Sequence, residues 1–188
     1  GDGIGPEIWQ AAQKVFDAAV QKAYQGARRV SWQSLLAGEV AFKETGQWLP
    51  DDTLRVLKED LVAIKGPLTT PIGEGHRSIN VTLRQKLDLY ACFRPVNYYE
   101  GTPSPVIHPE RVTIDVFREN TEDIYAGIEA DVGTPAAQAI KQLLASQGQL
   151  EKVRFPETAA FAIKPISSEG TKRLVKAAIE HTLNHQRH

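Results

Sequence analysis

Three arginines, Arg84, Arg94 and Arg118, have the residue type and the placement to bind an anion. Arg84 lies on a predicted short helix that starts at Ser78 and carries Asn80 on the same face. Arg94 and Arg118 each stand at the end of a predicted apolar strand. Strand ends and helix starts meet in the ligand clefts of α/β proteins, and arginine binds carboxylates through paired hydrogen bonds. The pattern predicts a polyanion site, although three separate surface ion pairs with neighbouring acids would fit the same spacing.

Tyr125 closes a polar segment, residues 118–125, that is rich in acids and amides. A tyrosine hydroxyl beside a cation can act as a general acid, but a half-buried structural tyrosine gives the same pattern. The acids of this region show no spacing typical of a metal site; they are Asp115, Glu119, Glu122 and Asp123. Cys92 lies inside an apolar run and is interpreted as a core thiol.

The opening sequence GDGIGP shares only its glycines with a dinucleotide-binding fingerprint. Gly1, Gly3 and Gly5 are spaced G-x-G-x-G, so the third glycine comes too early. Pro6 also lacks the N–H group that a phosphate would need. The segment is therefore interpreted as a tight turn that begins the first helix.

Helix and strand patterns alternate along the first half of the chain, which predicts an α/β layered domain. Predicted helices cover residues 7–24, 50–58, 80–87, 136–144 and 171–183. Predicted strands cover residues 29–36, 61–64, 89–93, 112–116, 124–128 and 159–164. The continuous apolar run at 61–64 is typical of a strand buried on both faces. In the strand at 112–116, Asp115 is expected to face away from Val116.

The composition is that of a soluble globular chain. Its 188 residues carry a net charge of −1, which argues against a general nucleic-acid binder, because such proteins cluster positive charge. A single cysteine excludes an intramolecular disulfide framework, and no apolar run reaches the roughly 20 residues that span a bilayer. We predict a cytoplasmic chain with neither nucleic acid nor membrane among its partners. The absence of methionine and the start on a glycine-rich turn suggest a fragment.

Seven segments in the same order make this chain similar to the bacterial NADP-dependent isocitrate dehydrogenases of the β-decarboxylating dehydrogenase family. They are GDGIGPE from Gly1, VAIKGPLTTPIG from Val62, RSINVTLRQKLDLYACFRPV from Arg77, GTPSPVIHPE from Gly101, FRENTEDIYAGIE from Phe117, VRFPE from Val153 and IKPISSEGTKRLVKAAIE from Ile163. The resemblance implies the isocitrate/isopropylmalate dehydrogenase-like α/β layered fold, which is not a Rossmann fold. It also implies that residues 1–89 belong to a large domain and that residues 90–122 and 168–188 belong to a small domain. Residues 123–167 would form a clasp that joins two subunits of a homodimer with a shared active site.

The resemblance also assigns roles to individual residues. The residues that match the positions holding the carboxylates and hydroxyl of isocitrate are Ser78, Asn80, Arg84, Arg94 and Arg118. Tyr125 matches the tyrosine that protonates the enolate left by decarboxylation. The residues that match positions lining the NADP site are Ile4, Leu68, Thr69 and Thr70. Lys65 lies in a matched segment, where a structural or rim role and a direct role are both open.

The activity implied by the resemblance is the oxidation of isocitrate by NADP in the tricarboxylic acid cycle. A Mg²⁺ or Mn²⁺ ion would polarise the resulting carbonyl so that carbon dioxide leaves, and protonation would give 2-oxoglutarate. In some relatives the serine equivalent to Ser78 is phosphorylated at the branch to the glyoxylate bypass, so a dedicated isocitrate dehydrogenase kinase/phosphatase is a further expected partner.

The family's metal ligands and its partner lysine match no position before residue 188. The chain is therefore expected to be about the first half of such an enzyme and to be inactive alone. Two alternatives stay open. One is a dehydrogenase for 3-isopropylmalate or a related 2-hydroxy acid, and the other is a dimerising fragment without catalysis.

Overall fold

The computed structural model describes residues 1–69 and 78–186 and divides the chain into two units, Gly1–Asp88 and Leu89–His188. Thr70, one of the expected cofactor residues, lies outside the described residues. Gly1–Asp88 is called unit 1, and Leu89–His188 is called unit 2.

Helices form most of the regular structure of unit 1. They are α1 (Gly5–Tyr24), α2 (Glu39–Thr45), α3 (Asp51–Asp60) and α4 (Ile79–Lys86). Pro6 stands in the first turn of α1, and Asp51 and Asp52 stand in the first turn of α3, where the helix dipole favours a negative charge. The three helices predicted in this part of the sequence are confirmed.

Sequence patterns missed α2, a helix of seven residues that lies between two glycines. Gly38 at its start and Gly46 at its end both adopt positive φ, at 81° and 74°. Such backbone is costly for other residues, so the two glycines are the signal that marks the ends of this helix.

The two strands predicted in unit 1, at residues 29–36 and 61–64, are wrong. Both segments are non-helical, but neither pairs with another described segment. Leu61 and Val62 are 86% and 83% exposed, whereas the apolar run predicted burial on both faces. A strand needs a neighbouring strand for its backbone hydrogen bonds, and the described residues supply none here.

Two antiparallel sheets of two strands each form the β-structure of the described part of unit 2. The first pairs β1 (Ala91–Asn97) with β2 (Thr113–Glu119), and the second pairs β3 (Ile128–Ala130) with β4 (Phe161–Ile163). The helices are α5 (Pro135–Ser146) and α6 (Ser168–Asn184), with short 3₁₀ helices at Pro109–Arg111, Asp123–Ala126 and Leu150–Lys152. Most of the predicted elements of this half are therefore present, with shifted ends, although residues 124–126 are helical rather than extended.

Helix α6 covers one face of the β1–β2 sheet through His181. The His181 ring lies 4.8 Å from the Phe93 ring and 5.3 Å from the Phe117 ring, and its Nε2 is 3.1 Å from Oδ2 of Asp115. Asp115 thus faces away from Val116, as predicted, and lies on the helix-covered face. Ile114 and Val116 lie on the opposite face and are exposed.

Candidate functional site

Asp2 holds together three segments of unit 1. It is only 4% exposed, and its Oδ2 accepts hydrogen bonds from the backbone N–H groups of Thr69 at 2.6 Å and Glu39 at 3.0 Å. Its Oδ1 accepts from the N–H of Val40 at 3.3 Å, and its own N–H donates to the carbonyl of Pro67 at 2.7 Å. The opening turn, the start of α2 and the loop at 67–69 are thereby fixed together.

The ionised form of Asp2 is the one that this arrangement stabilises. Burial raises the pKa of the carboxyl, but the N–H donors of Glu39, Thr69 and Val40 outweigh it, so the pKa lies below its ordinary value. The negative charge also lies at the N-terminus of α2, where the helix dipole favours it.

The glycines of the opening turn make room for neighbouring atoms. A Cβ at Gly1 would lie 2.7 Å from the carbonyl oxygen of Pro67, and one at Gly5 would lie 3.3 Å from the Pro67 ring. A Cβ at Gly38 would collide with the Asp2 carboxylate. These glycines are therefore explained by close packing inside the chain, and the interpretation of GDGIGP as a tight turn before the first helix is confirmed.

The described residues expected to line a cofactor lie at this junction. Ile4, in the opening turn next to Gly5, is 64% exposed. Leu68 and Thr69 directly follow Pro67 and are held by the Thr69 hydrogen bond to Asp2. An exposed apolar side chain on a fixed turn, beside a loop with a threonine hydroxyl, fits contact with the flat rings and polar edges of a dinucleotide.

Helix α4 carries the three expected substrate residues of unit 1. Ser78 precedes the helix, and its side chain forms no capping hydrogen bond. The Oδ1 atom of Asn80 is buried and accepts no hydrogen bond from residues 1–69 or 78–186. Buried acceptors normally have a donor, so a ligand donor would satisfy this one.

Lys65 and Arg84 place two positive charges close together in the same unit. Partial burial of the Lys65 ammonium, followed by the charge of Arg84, lowers the pKa of Lys65. The ammonium donates to the carbonyl of Gly66 at 2.7 Å. A lysine whose charge is disfavoured by burial and by a neighbouring arginine is a favourable partner for an anionic ligand.

Arg94 and Arg118 lie on one face of the β1–β2 sheet. Cys92 is opposite Arg118 and Arg94 is opposite Val116, so the two arginines are diagonal neighbours on the paired strands. Such neighbours are about 7–8 Å apart. The strand continues through Pro95 to Asn97, and Arg94 is therefore within the strand, not at its end as predicted. In the part of the chain that the structure describes, neither arginine forms an ion pair with a carboxylate, unlike Arg55 and Arg111.

Tyr125 lies directly against one of these arginines. The Cζ atom of Arg118 is 4.7 Å from the centroid of the Tyr125 ring, a distance typical of a cation–π contact. Tyr125 belongs to the 3₁₀ helix Asp123–Ala126, and its N–H donates to the carbonyl of Glu122 at 3.2 Å. A tyrosine and an arginine that are 7 residues apart in sequence are thus brought together.

Glu119 fixes the backbone between Arg118 and Tyr125. Its Oε1 accepts from the N–H groups of three successive residues, Asn120 at 2.9 Å, Thr121 at 2.7 Å and Glu122 at 2.9 Å. Burial raises the pKa of Glu119, but the effect of these donors is larger and opposite, so the pKa lies below its ordinary value. Sequence reasoning considered this acid only as a metal ligand and missed its role in the turn; an acid followed by a polar turn at a strand end was the available signal.

The described residues offer no metal centre. Among residues 1–69 and 78–186, no group of three or more His, Cys, Asp or Glu side chains has the geometry to hold a metal ion. The acids near Tyr125 already have other partners, because Asp115 contacts His181 and Glu119 contacts the backbone. No helix in this part of the chain is both long and apolar enough to cross a bilayer.

A sequence profile described as isocitrate/isopropylmalate dehydrogenase matches residues 1–188, the whole of the chain. The chain belongs to the isocitrate/isopropylmalate dehydrogenase family. The predicted family and its α/β fold class are thereby confirmed.

Members of the family with known names and structures are similar over 97–100% of this chain. It is 56% identical over 187 residues to the isocitrate dehydrogenase [NADP] of Staphylococcus epidermidis, covering 100% of this chain and 44% of that protein. It is 55% identical over 183 residues to the isocitrate dehydrogenase [NADP] of Streptococcus salivarius, covering 97% of this chain and 47% of that protein. The chain therefore spans less than half the length of these relatives.

Solved structures of the family show the same fold. The crystal structure of isocitrate dehydrogenase from Methylococcus capsulatus matches with a TM-score of 0.71 and 35% identity, covering 100% of this chain and 47% of that one. The apo β-decarboxylating dehydrogenase from Thermococcus kodakarensis matches with a TM-score of 0.58 and 26% identity, covering 100% and 45%.

Proposed function

We propose that this chain supplies substrate-binding and proton-donating residues of an NADP-dependent isocitrate dehydrogenase. The enzyme would oxidise isocitrate and release carbon dioxide to give 2-oxoglutarate, as a step of the tricarboxylic acid cycle. One observation carries the proposal: Arg94 and Arg118 lie on one sheet face without described carboxylate partners, and Arg118 stacks on Tyr125. The names of the relatives, which are 55–56% identical, support the same activity.

The charge of the substrate explains the arginines. Isocitrate has three carboxylates, and each can accept two parallel hydrogen bonds from a guanidinium group. Arg94 and Arg118 would each bind a carboxylate in this way. We extend the same role to Ser78, which precedes α4, and to Asn80 and Arg84 within it. Asn80 has a buried oxygen without a described partner, and the charge of Arg84 acts on Lys65.

Tyr125 would protonate the enolate left by decarboxylation. The neighbouring Arg118 charge stabilises the tyrosinate that forms when the hydroxyl gives up its proton, because the guanidinium is only 4.7 Å from the ring. The proton moves to C-3 of the enolate, and the tyrosinate takes a proton back from water. Tyr125 and Arg118 would thus act as a general acid and its electrostatic support.

When bound, NADP would supply the acceptor for the hydride at C-2 of the substrate. Ile4, Leu68 and Thr69 would hold it, together with Thr70, and Asp2 would fix the backbone of this surface. The divalent metal of the family, which we propose to be Mg²⁺ or Mn²⁺, has no ligand set among the described residues.

Residues 123–167 would join two copies into a homodimer with a shared active site. Apolar side chains are exposed in this segment at Val132, Leu143 and Phe155, and pairing two segments would bury them. We also propose a cytoplasmic enzyme and a kinase/phosphatase that acts on Ser78. The Ser78 hydroxyl does not cap α4, and phosphorylation would place negative charge where the substrate binds.

The proposal is tested on the complete gene product that contains this chain. We expect NADP reduction with isocitrate and Mg²⁺, and an increase in KM for isocitrate on the order of 100-fold in Arg118→Gln, because two charge-assisted hydrogen bonds are lost. Arg111→Gln is the matched control, since Arg111 is an exposed arginine paired with Glu110. Oxidation of 3-isopropylmalate in place of isocitrate, or an equal KM in both variants, would contradict the proposal.

A further inference from the structure

Glu122 links the loop that carries Tyr125 to the start of α6. Its Oε2 accepts from the backbone N–H of Ser167 at 2.8 Å, and its Oε1 accepts from the Ser167 hydroxyl. The same hydroxyl accepts from the N–H of Gly170 at 2.8 Å and so caps α6. Both carboxylate oxygens of Glu122 are therefore used, by a residue 45 positions away in sequence.

Gly170 makes this approach possible. A Cβ at Gly170 would lie 2.6 Å from the carboxyl carbon of Glu122 and within 2.7 Å of both its oxygens. No side chain larger than hydrogen fits there without moving the carboxylate. The third residue of α6 is thus shaped to receive Glu122.

Lys164 and Pro165, just before Ser167, contact Asp123, the residue after Glu122. The N–H of Asp123 donates to the carbonyl of Pro165 at 3.0 Å, and its Oδ2 is 3.2 Å from the Lys164 ammonium. The Ser167 hydroxyl, followed by the Ser167 N–H, lowers the pKa of Glu122, so the ionised form is favoured. These bonds fix the two residues at which the 3₁₀ helix of Tyr125 begins.

We propose that Glu122 is a positioning residue, which keeps the Tyr125 hydroxyl in place for the proton transfer. This inference rests on the proposed function. Without the Glu122 link, the start of the 3₁₀ helix is held less tightly to the start of α6, and Tyr125 no longer keeps a fixed position against Arg118. The C-3 atom of the enolate then takes its proton from water, from either face.

The test measures where deuterium enters the product in D₂O. The Tyr125 hydroxyl exchanges with solvent, so the complete enzyme should deliver one deuterium to a single face of C-3 of 2-oxoglutarate. The product is reduced with ammonia by glutamate dehydrogenase to L-glutamate, whose two C-3 hydrogens are diastereotopic and give separate proton NMR signals, so the face is read there. In Glu122→Gln we expect deuterium on both faces, with kcat lowered roughly 10- to 100-fold and KM for isocitrate within about twofold. Glu169→Gln is the matched control, because Glu169 is an exposed acid on the first turn of α6.

Gly170→Ala tests the same link without a change of charge. Alanine has a higher helix propensity than glycine, so α6 itself should stay intact in this variant. The added methyl group, however, displaces the Glu122 carboxylate. We expect this variant, like Glu122→Gln, to lose the one-sided deuteration of C-3. If Glu122→Gln does not fold, the result for Gly170→Ala tests the role of Glu122. One-sided deuteration in the folded variants, at any kcat, would overturn the role of Glu122.

Three further outcomes separate this inference from the proposed function. If the unmodified enzyme does not turn over isocitrate, the proposed function fails. If Tyr125→Phe keeps one-sided deuteration, Tyr125 is not the proton donor, and the role of Glu122 fails with it. If Tyr125→Phe loses it while Glu122→Gln and Gly170→Ala keep it, only the role of Glu122 is wrong.

Discussion

Among the candidate site residues and their neighbours, two carboxylates and two guanidinium groups differ in the partners that they have in the described chain. The carboxylates of Asp2 and Glu119 each accept three backbone N–H donors, so their charge is used to fix the fold. The guanidinium groups of Arg94 and Arg118 have no carboxylate partner in residues 1–69 and 78–186. A cation without a counter-ion beside a second cation is destabilising, which a bound anion would relieve. Acids that fix the backbone, together with arginines that stay available for a ligand, are the arrangement expected of a polyanion site.

Replacing Asp2 tests the structural half of this division. In Asp2→Asn we expect a loss of about 1–3 kcal/mol of unfolding free energy at pH 7, because a charged acceptor of three backbone donors becomes neutral. The folded pKa of Asp2 lies below its ordinary value of 3.8, so the unfolded chain binds more protons as the pH falls. The stabilisation is thus complete above about pH 5 and is lost progressively as the pH falls through 3.8 towards the lower pKa of the folded state.

The measurement is denaturant unfolding of the complete gene product between pH 7 and pH 3. Asp60→Asn, at an exposed acid near the end of α3, is the matched control and should change little. A variant at Asp2 that keeps the full stability of the parent at neutral pH would show that these hydrogen bonds are not needed.

At the scale of elements, helices were predicted well and strands only in part. A helix satisfies its backbone within one segment, so α1, α3, α5 and α6 could be read from local periodicity and from their first turns. A strand depends on a partner elsewhere in the chain, which local patterns do not contain. The segments at 29–36 and 61–64 have strand-like sequences, but the described residues provide no partner for either.

These unpaired segments give a prediction for hydrogen exchange. In the isolated 188-residue chain we expect fast amide exchange at residues 29–36 and 63–64, and slow exchange in β1 and β2, whose ladder is formed. In the complete gene product the first two segments should become protected, because a longer enzyme would provide strand partners for them. Hydrogen–deuterium exchange detected by mass spectrometry compares the two samples. Equal exchange of these segments in both would argue against the proposal of a longer enzyme.

At the scale of the whole molecule, the chain spans 44% of the length of a relative that is 56% identical to it. The resemblance of seven segments was enough to predict the family, the fold class and a set of site residues. It did not predict the hydrogen bond from Thr69 to Asp2 or the one from Ser167 to Glu122, because these join residues 67 and 45 positions apart. Such links depend on the folded backbone, and no local pattern encodes them.

The isolated chain should be inactive. With isocitrate, NADP and Mg²⁺ we expect no turnover, because the described residues hold no metal ligand set and two segments of unit 1 lack strand partners. A coupled absorbance assay at 340 nm would follow this (the wavelength at which NADPH absorbs), with the complete gene product as the positive control. Robust turnover by the 188-residue chain would contradict the expectation that it is part of a longer enzyme.

The bond between Asp2 and Thr69 has a consequence for synthesis on the ribosome. The turn that carries Asp2 is translated before its last donor, the N–H of Thr69, which is added 67 residues later. Until then the Asp2 carboxylate remains hydrated, and the glycines around it leave this turn without a fixed conformation. The turn is therefore among the later parts of unit 1 to become native, and it cannot close before Thr69 has left the ribosome.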